Sequence, residues 1–223
     1  MLVVVIIAVI IIYFFLKNRK KSSKQSIGRI FEKVRQLLTN EEIQNENLPP
    51  MFKSFLKENT LERSISRYFG MTPNEPIRVN GSLGEVIYIS MLRTPENIPF
   101  IGHRLGSVNQ LDVYEICSED FKDWRILFFD LYWLQKDKYA PSGLTLSLND
   151  CPLISAINKF SSTFPNEFWP SVMDATKDLL GLAAVRTTIR EIDYSLSSRP
   201  EHHLAMLKKI LVEVRAEGIG PDG

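Results

Sequence analysis

Cysteine, histidine and glycine-rich motifs are scarce in this chain, and each scarcity removes a class of function. Cys117 and Cys151 are the only cysteines and form no C-x-x-C pair, so the zinc-ribbon and dithiol patterns are absent. The histidines are His103, His202 and His203. Adjacent helical positions such as His202 and His203 point about 100° apart, unlike the i, i+4 pair of a helical zinc motif. They read as solvated residues at a helix start. Neither G-x-G-x-x-G nor G-x-x-x-x-G-K-[ST] occurs, and Gly81–Glu85 (GSLGE) reads as a turn before a strand. No G-x-S-x-G nucleophile elbow is present. The sequence therefore implies no metal and no cofactor.

A basic excess is missing as well. The chain has 27 Lys and Arg against 26 Asp and Glu. Lys17, Arg19, Lys20, Lys21 and Lys24 take five of the 27, leaving 22 basic against 26 acidic residues in 25–223, a net of −4. A nucleic-acid-binding face normally needs the opposite balance, so no nucleic-acid partner is expected.

The longest gap in charge is at the start. Met1–Leu16 (MLVVVIIAVIIIYFFL) contains no charge, Gly or Pro. As a helix it would reach about 24 Å against a hydrocarbon core of about 30 Å. Snorkelling Lys and Arg, local thinning, or continuation through Asn18 closes the difference. Tyr13, Phe14 and Phe15 sit where aromatic rings favour the headgroup level. A cleaved signal peptide needs its positive charge before the run and small residues after it, and neither is present. Residues 1–16 are therefore expected to be a transmembrane anchor in the lipid bilayer, and 17–26 a basic collar and linker. The collar follows the run, so the positive-inside rule puts the N-terminus out and residues 27–223 in the cytoplasm, at the inner (plasma) membrane.

The body is expected to be α+β: an antiparallel β-meander of four to five strands flanked by N- and C-terminal helices, packed on one face of the sheet. Helices are predicted in 27–70 (27–38 and 50–69, with 39–48 a loop). The meander is predicted in 77–148, with strands at 85–92, 100–108, 111–117 and 125–134 and a short one at 143–148. Connections this short favour antiparallel neighbours. Helices are predicted again in 152–217, at 152–160, 166–180 and 182–196. Ser198 and Glu201 have capping-box spacing before a last helix, whose stripe is Leu204, Leu207, Leu211 and Val214.

Four features bear on function. His103, in a strand between Gly102 and Gly106, could do acid–base work with Asp112 or Asp130; the bland alternative is a half-buried strand residue beside a bulge. Asp130 interrupts an apolar run and needs a partner, for which Arg104 and Arg125 are candidates. Trp124, Phe128, Tyr132 and Trp133 form a candidate interaction surface, or else belong to a central strand buried on both faces. The stripes of 182–215 could likewise hold a protein partner or a second copy, although such stripes more often cover a protein's own sheet. The expectation is a membrane-anchored interaction or scaffold module, with a tethered hydrolase using His103 as the alternative.

Overall fold

The computed structural model describes residues 36, 39–46, 48, 50–57, 63–147, 155–157, 160–166, 168 and 199–216. The predicted helix at 182–196, nearly all of those at 27–38 and 166–180, and the run Met1–Leu16 lie outside them; of the helix predicted at 152–160, Ala156–Ile157 is a short strand. Among the described residues no helix is long and apolar enough to cross a membrane.

The elements are α1 (Glu41–Glu46), α2 (Pro50–Lys53), β1 (Ile77–Arg78), α3 (Gly81–Met91), β2 (Leu92–Arg93), β3 (Phe100–Val108), β4 (Leu111–Ser118), β5 (Trp124–Asp130), β6 (Thr145–Leu146), β7 (Ala156–Ile157) and α4 (Glu201–Ala216). The fold is α+β. Its main sheet has the order β1-β5-β4-β3-β7. The centre, β3-β4-β5, is the expected antiparallel meander, but β1 on β5 and β7 on β3 are parallel. The sheet is therefore mixed. β6 leaves it to pair with β2 in a separate antiparallel ribbon.

The predicted strand at 85–92 is helix α3. Every residue from Leu83 to Met91 is buried. A helix buried on all sides reads as an unbroken apolar run, as a central strand does, and Val86, Ile87 and Ile89 tip the local preference toward strand. The expected loop at 39–48 contains α1. Asn40 Oδ1 accepts the Glu42 and Ile43 N–H groups at 2.9 and 3.2 Å, a side-chain N-cap with acidic Glu41 and Glu42 in the first turn. Of the helix expected at 50–69, the helical part among the described residues is Pro50–Lys53; a turn follows, and Lys57 makes an isolated β-bridge to Trp133.

Helices cover both faces of the sheet, not one. The pleat turns alternate residues of β4 to opposite sides. Tyr114 donates its hydroxyl to Glu85 of α3 at 3.1 Å, while neighbouring Glu115 bonds His203 of α4 at 2.9 Å. On the α3 side Val86, Tyr88, Ile89, Tyr114, Leu127 and Phe129 share a core. On the α4 side Val113, Ile126 and Phe128 pack against Leu207, Ile210 and Val214. Leu105, two residues past His103, packs on the same α4-side face, and the β3–β4 register shifts by a bulge there, between Arg104 and Gly106.

Gly81 sets the seat of the N-terminal segment. Its φ is +77°, and a Cβ there would lie 2.3 Å from Leu48 Cδ2. Gly81→Ala should cost about 1–2 kcal/mol for the left-handed backbone alone, and should lift Leu48. Amide exchange should then quicken at Gln44 before it does in β4.

Candidate functional site

Among the described residues, Glu115 is the carboxylate with the most ion-pair partners. The β3–β4 register sets His103 opposite it. His103 Nε2 lies 2.8 Å from Oε2, and His203 Nε2 lies 2.9 Å from Oε1. Arg199 completes the set, donating Nε to Oε1 at 2.6 Å and Nη2 to Oε2 at 2.9 Å. Four N–H groups from three residues thus hold one carboxylate, with Arg199 as a bidentate fork. Glu115, His103 and His203 are buried.

Hydrogen bonding fixes the tautomer of His103. Its Nδ1 accepts the Ser161 N–H at 3.0 Å, so Nε2 carries the proton given to Glu115. Phe164 stacks on its ring at 4.2 Å between centroids. The Arg199 guanidinium lies 5.1 Å from the centre of Trp124, and its Nη2 donates to the Phe164 carbonyl at 2.8 Å. The carboxylate and the guanidinium balance in charge. Burial pushes the Glu115 carboxyl up, but the bonds from His103, His203 and Arg199 outweigh it and hold the group well below the usual carboxylate range. Burial lowers His103, partly opposed by Glu115.

This arrangement ties β3, β4, the 160–164 segment and α4 together. Both nitrogens of His103 are engaged, so its lone pair is not available to a substrate proton. Among the described residues no group of three or more His, Cys, Asp and Glu is arranged to hold a metal ion.

Asp112 and Asp130 are not brought to His103. Asp112 is three positions from Glu115 along β4, about 10 Å, and on the opposite face. There it forms a bidentate pair with Arg104, at 2.8 and 2.9 Å, and accepts from Ser107 at 2.6 Å. Asp130 stands four positions past Ile126, the β5 partner of Glu115; that is about 13 Å along the strand and two strands from β3. Its ion-pair partner is Lys57 at 3.9 Å, not Arg104 or Arg125. Arg125 pairs with Asp123.

The aromatic candidates divide. Trp124 and Phe128 are buried beneath α4 and the 160–164 segment, Trp124 against His203 and Phe164 and Phe128 against Leu207, Ile210 and Val214. Tyr132 and Trp133 are half-buried at the sheet's edge, where Lys57 and Arg78 lie 5.3 and 4.1 Å from the Trp133 ring centre.

Sequence reasoning missed Glu115, His203 and Arg199. Glu115 lies between Val113 and Cys117 on one strand face, an interior position where a charge demands a partner. His203, Leu207, Ile210 and Val214 step by four, three and four, so His203 belongs to the buried stripe and only His202 is solvated. Arg199 precedes α4 and carries no local signal.

A second buried carboxyl lies on the other face. Glu85 accepts from Tyr114, while its Oε1 has no hydrogen-bond partner. Burial, then the negative charge of Asp112, push Glu85 well above its ordinary value near 4.5. The unfolded chain loses this proton first, so Glu85 subtracts stability as pH rises above about 4.5. Glu85→Gln should stabilise the protein at pH 8 by about 1–2 kcal/mol, the scale of an uncompensated buried polar group. The gain should vanish at pH 4; thermal melts at the two pH values check this.

Comparison with protein-family models, with curated proteins and with solved structures finds no match.

Proposed function

We propose that this chain is a single-pass membrane protein of bacterial type. Met1–Leu16 anchors it in the inner (plasma) membrane with the N-terminus outside, and the α+β body serves on the cytoplasmic side as an interaction or scaffold module. The observation that carries the reading is the sixteen-residue uncharged run followed by five Lys and Arg within eight residues. The body's chemistry agrees with it. His103, His203 and Arg199 are committed to Glu115, and Arg104 to Asp112. These groups build the sheet–helix scaffold, so what is left for partners is the outer surface. The hydrolase alternative is not carried forward, because His103 has neither acid partner within reach nor an open nitrogen.

Crosslinking of the full chain in its native membrane, followed by affinity capture and mass spectrometry, tests the module. A stoichiometric partner or a crosslinked second copy is the expected result. An empty capture with intact, folded protein would remove support for an interaction role.

A further inference from the structure

Two large apolar side chains stand exposed near the start of the body, Met51 in α2 and Phe55 in the turn that follows it. Met51 is 69% and Phe55 64% accessible, and they lie four positions apart. The segment that carries them is pinned. Ser54 Oγ donates to the Met51 carbonyl at 2.9 Å, and Lys53 Nζ to the Glu46 carbonyl at 3.2 Å. Just beyond, the Lys57 N–H donates to the Tyr132 carbonyl at 2.7 Å, and the Leu134 N–H to the Lys57 carbonyl at 2.9 Å. Met51 and Phe55 are thus held outward on fixed backbone.

Lys53 lies between the apolar pair and Lys57 follows it; the Lys57 side chain faces Asp130 at 3.9 Å but is 58% accessible. Fixed apolar projections beside lysines suit the headgroup–acyl boundary of a bilayer, where rings and thioethers enter and ammonium groups reach phosphate. Position in the chain selects this occupant. Met51 follows Leu16 by 35 positions, so tethering holds the bilayer beside this segment at high effective concentration. Glu42 and Glu46 of α1 are also exposed, so the apolar pair leads the contact and a high density of anionic lipid is not needed.

We propose that Met51 and Phe55, with Lys53 between them and Lys57 beyond, dock the body onto the headgroup layer of the membrane that holds Met1–Leu16. The inference rests on the anchor reading and extends it from a tether to an oriented, membrane-apposed domain.

The test places an environment-sensitive fluorophore on Met51→Cys, Phe55→Cys, Val9→Cys or Lys122→Cys. Each is made in the full chain with Cys151→Ser and reconstituted in phosphatidylcholine–phosphatidylglycerol nanodiscs. Brominated lipids of graded depth act as quenchers. Docking predicts blue-shifted emission and shallow quenching at 51 and 55, deep quenching at 9 and none at 122. Quenching at 9 with water-like emission at 51 and 55 would overturn docking and leave the anchor standing. Water-like emission at 9 would overturn the anchor and docking together. Lipid-independent shielding at 51 and 55, with energy transfer between labelled copies, would replace the bilayer by a second copy.

Discussion

Glu115→Ala is expected to destabilise the protein by about 3–5 kcal/mol, the range for breaking a buried ion pair by removing one partner. The alanine leaves the Arg199 guanidinium and two imidazole N–H groups without their acceptor. Arg199 retains some access to water, with 21% of its side chain accessible, so the lower half of the range is expected. The damage should spread along the clamp: α4 and the 160–164 segment should exchange their amides faster, while α3, on the other face, keeps its protection. Thermal and chemical denaturation of the full chain, with site-resolved hydrogen exchange, would measure both effects. A loss under about 1 kcal/mol would mean that Glu115 is not the tie between sheet and α4.

The same cluster fixes the direction of the acid response. The folded value of Glu115 is depressed, so its stabilisation is complete above the unfolded value near 4.5 and is lost as pH falls below it. His103 is lowered, so the unfolded chain takes up that proton first as pH falls through 6.5. Both effects weaken the fold in acid. Glu85 acts in the opposite sense, regaining stability as pH falls toward 4.5, and so offsets the His103 loss between about pH 6.5 and 4.5. Below 4.5 that offset is spent: the wild-type chain should lose stability there as Glu115 is protonated, and Glu115→Ala should lack that loss.

Phe129→Ala is the second large effect, at about 3–5 kcal/mol. The ring is fully buried. It meets Tyr88 of α3 edge-to-face at 5.9 Å and Tyr114 of β4 at 5.4 Å, and its backbone pairs with Ile77 on one side and Asp112 on the other. The cavity would therefore open where α3, β1, β4 and β5 converge. Exchange should rise in α3 and spare α4, the mirror of the Glu115 result. The two sites lie on opposite faces and about 10 Å apart along the strands, so the double variant should be additive within about 0.5 kcal/mol. A larger coupling would show that the two helical layers respond as one.

How far the fold was legible depends on where each signal lies. The strand expected at 100–108 is β3, and the one at 111–117 is β4 less one residue, because β-branched and aromatic residues there sit between clear turn signals. Helix α4 was legible from its stripe, although its buried edge runs through His203 and Ile210, not Leu204 and Leu211. Helix α3 was not, since burial on every side erases the period that separates helix from strand. The parallel partners β1 and β7 are two residues each, too short to carry any pattern. The buried clamp joins residues 103, 115, 199 and 203, and only the β3–β4 register and the docking of α4 bring them together. Its local signals were the odd charge of Glu115 on an interior face and the place of His203 in the buried stripe of α4.

The membrane reading is tested most directly by extraction and sidedness of the full chain in its native cell. Carbonate at high pH should leave it in the membrane pellet. Protease added to spheroplasts should spare the body, and protease added to inverted vesicles should digest it. Release into the carbonate supernatant, or digestion of the body from outside intact spheroplasts, would contradict the account.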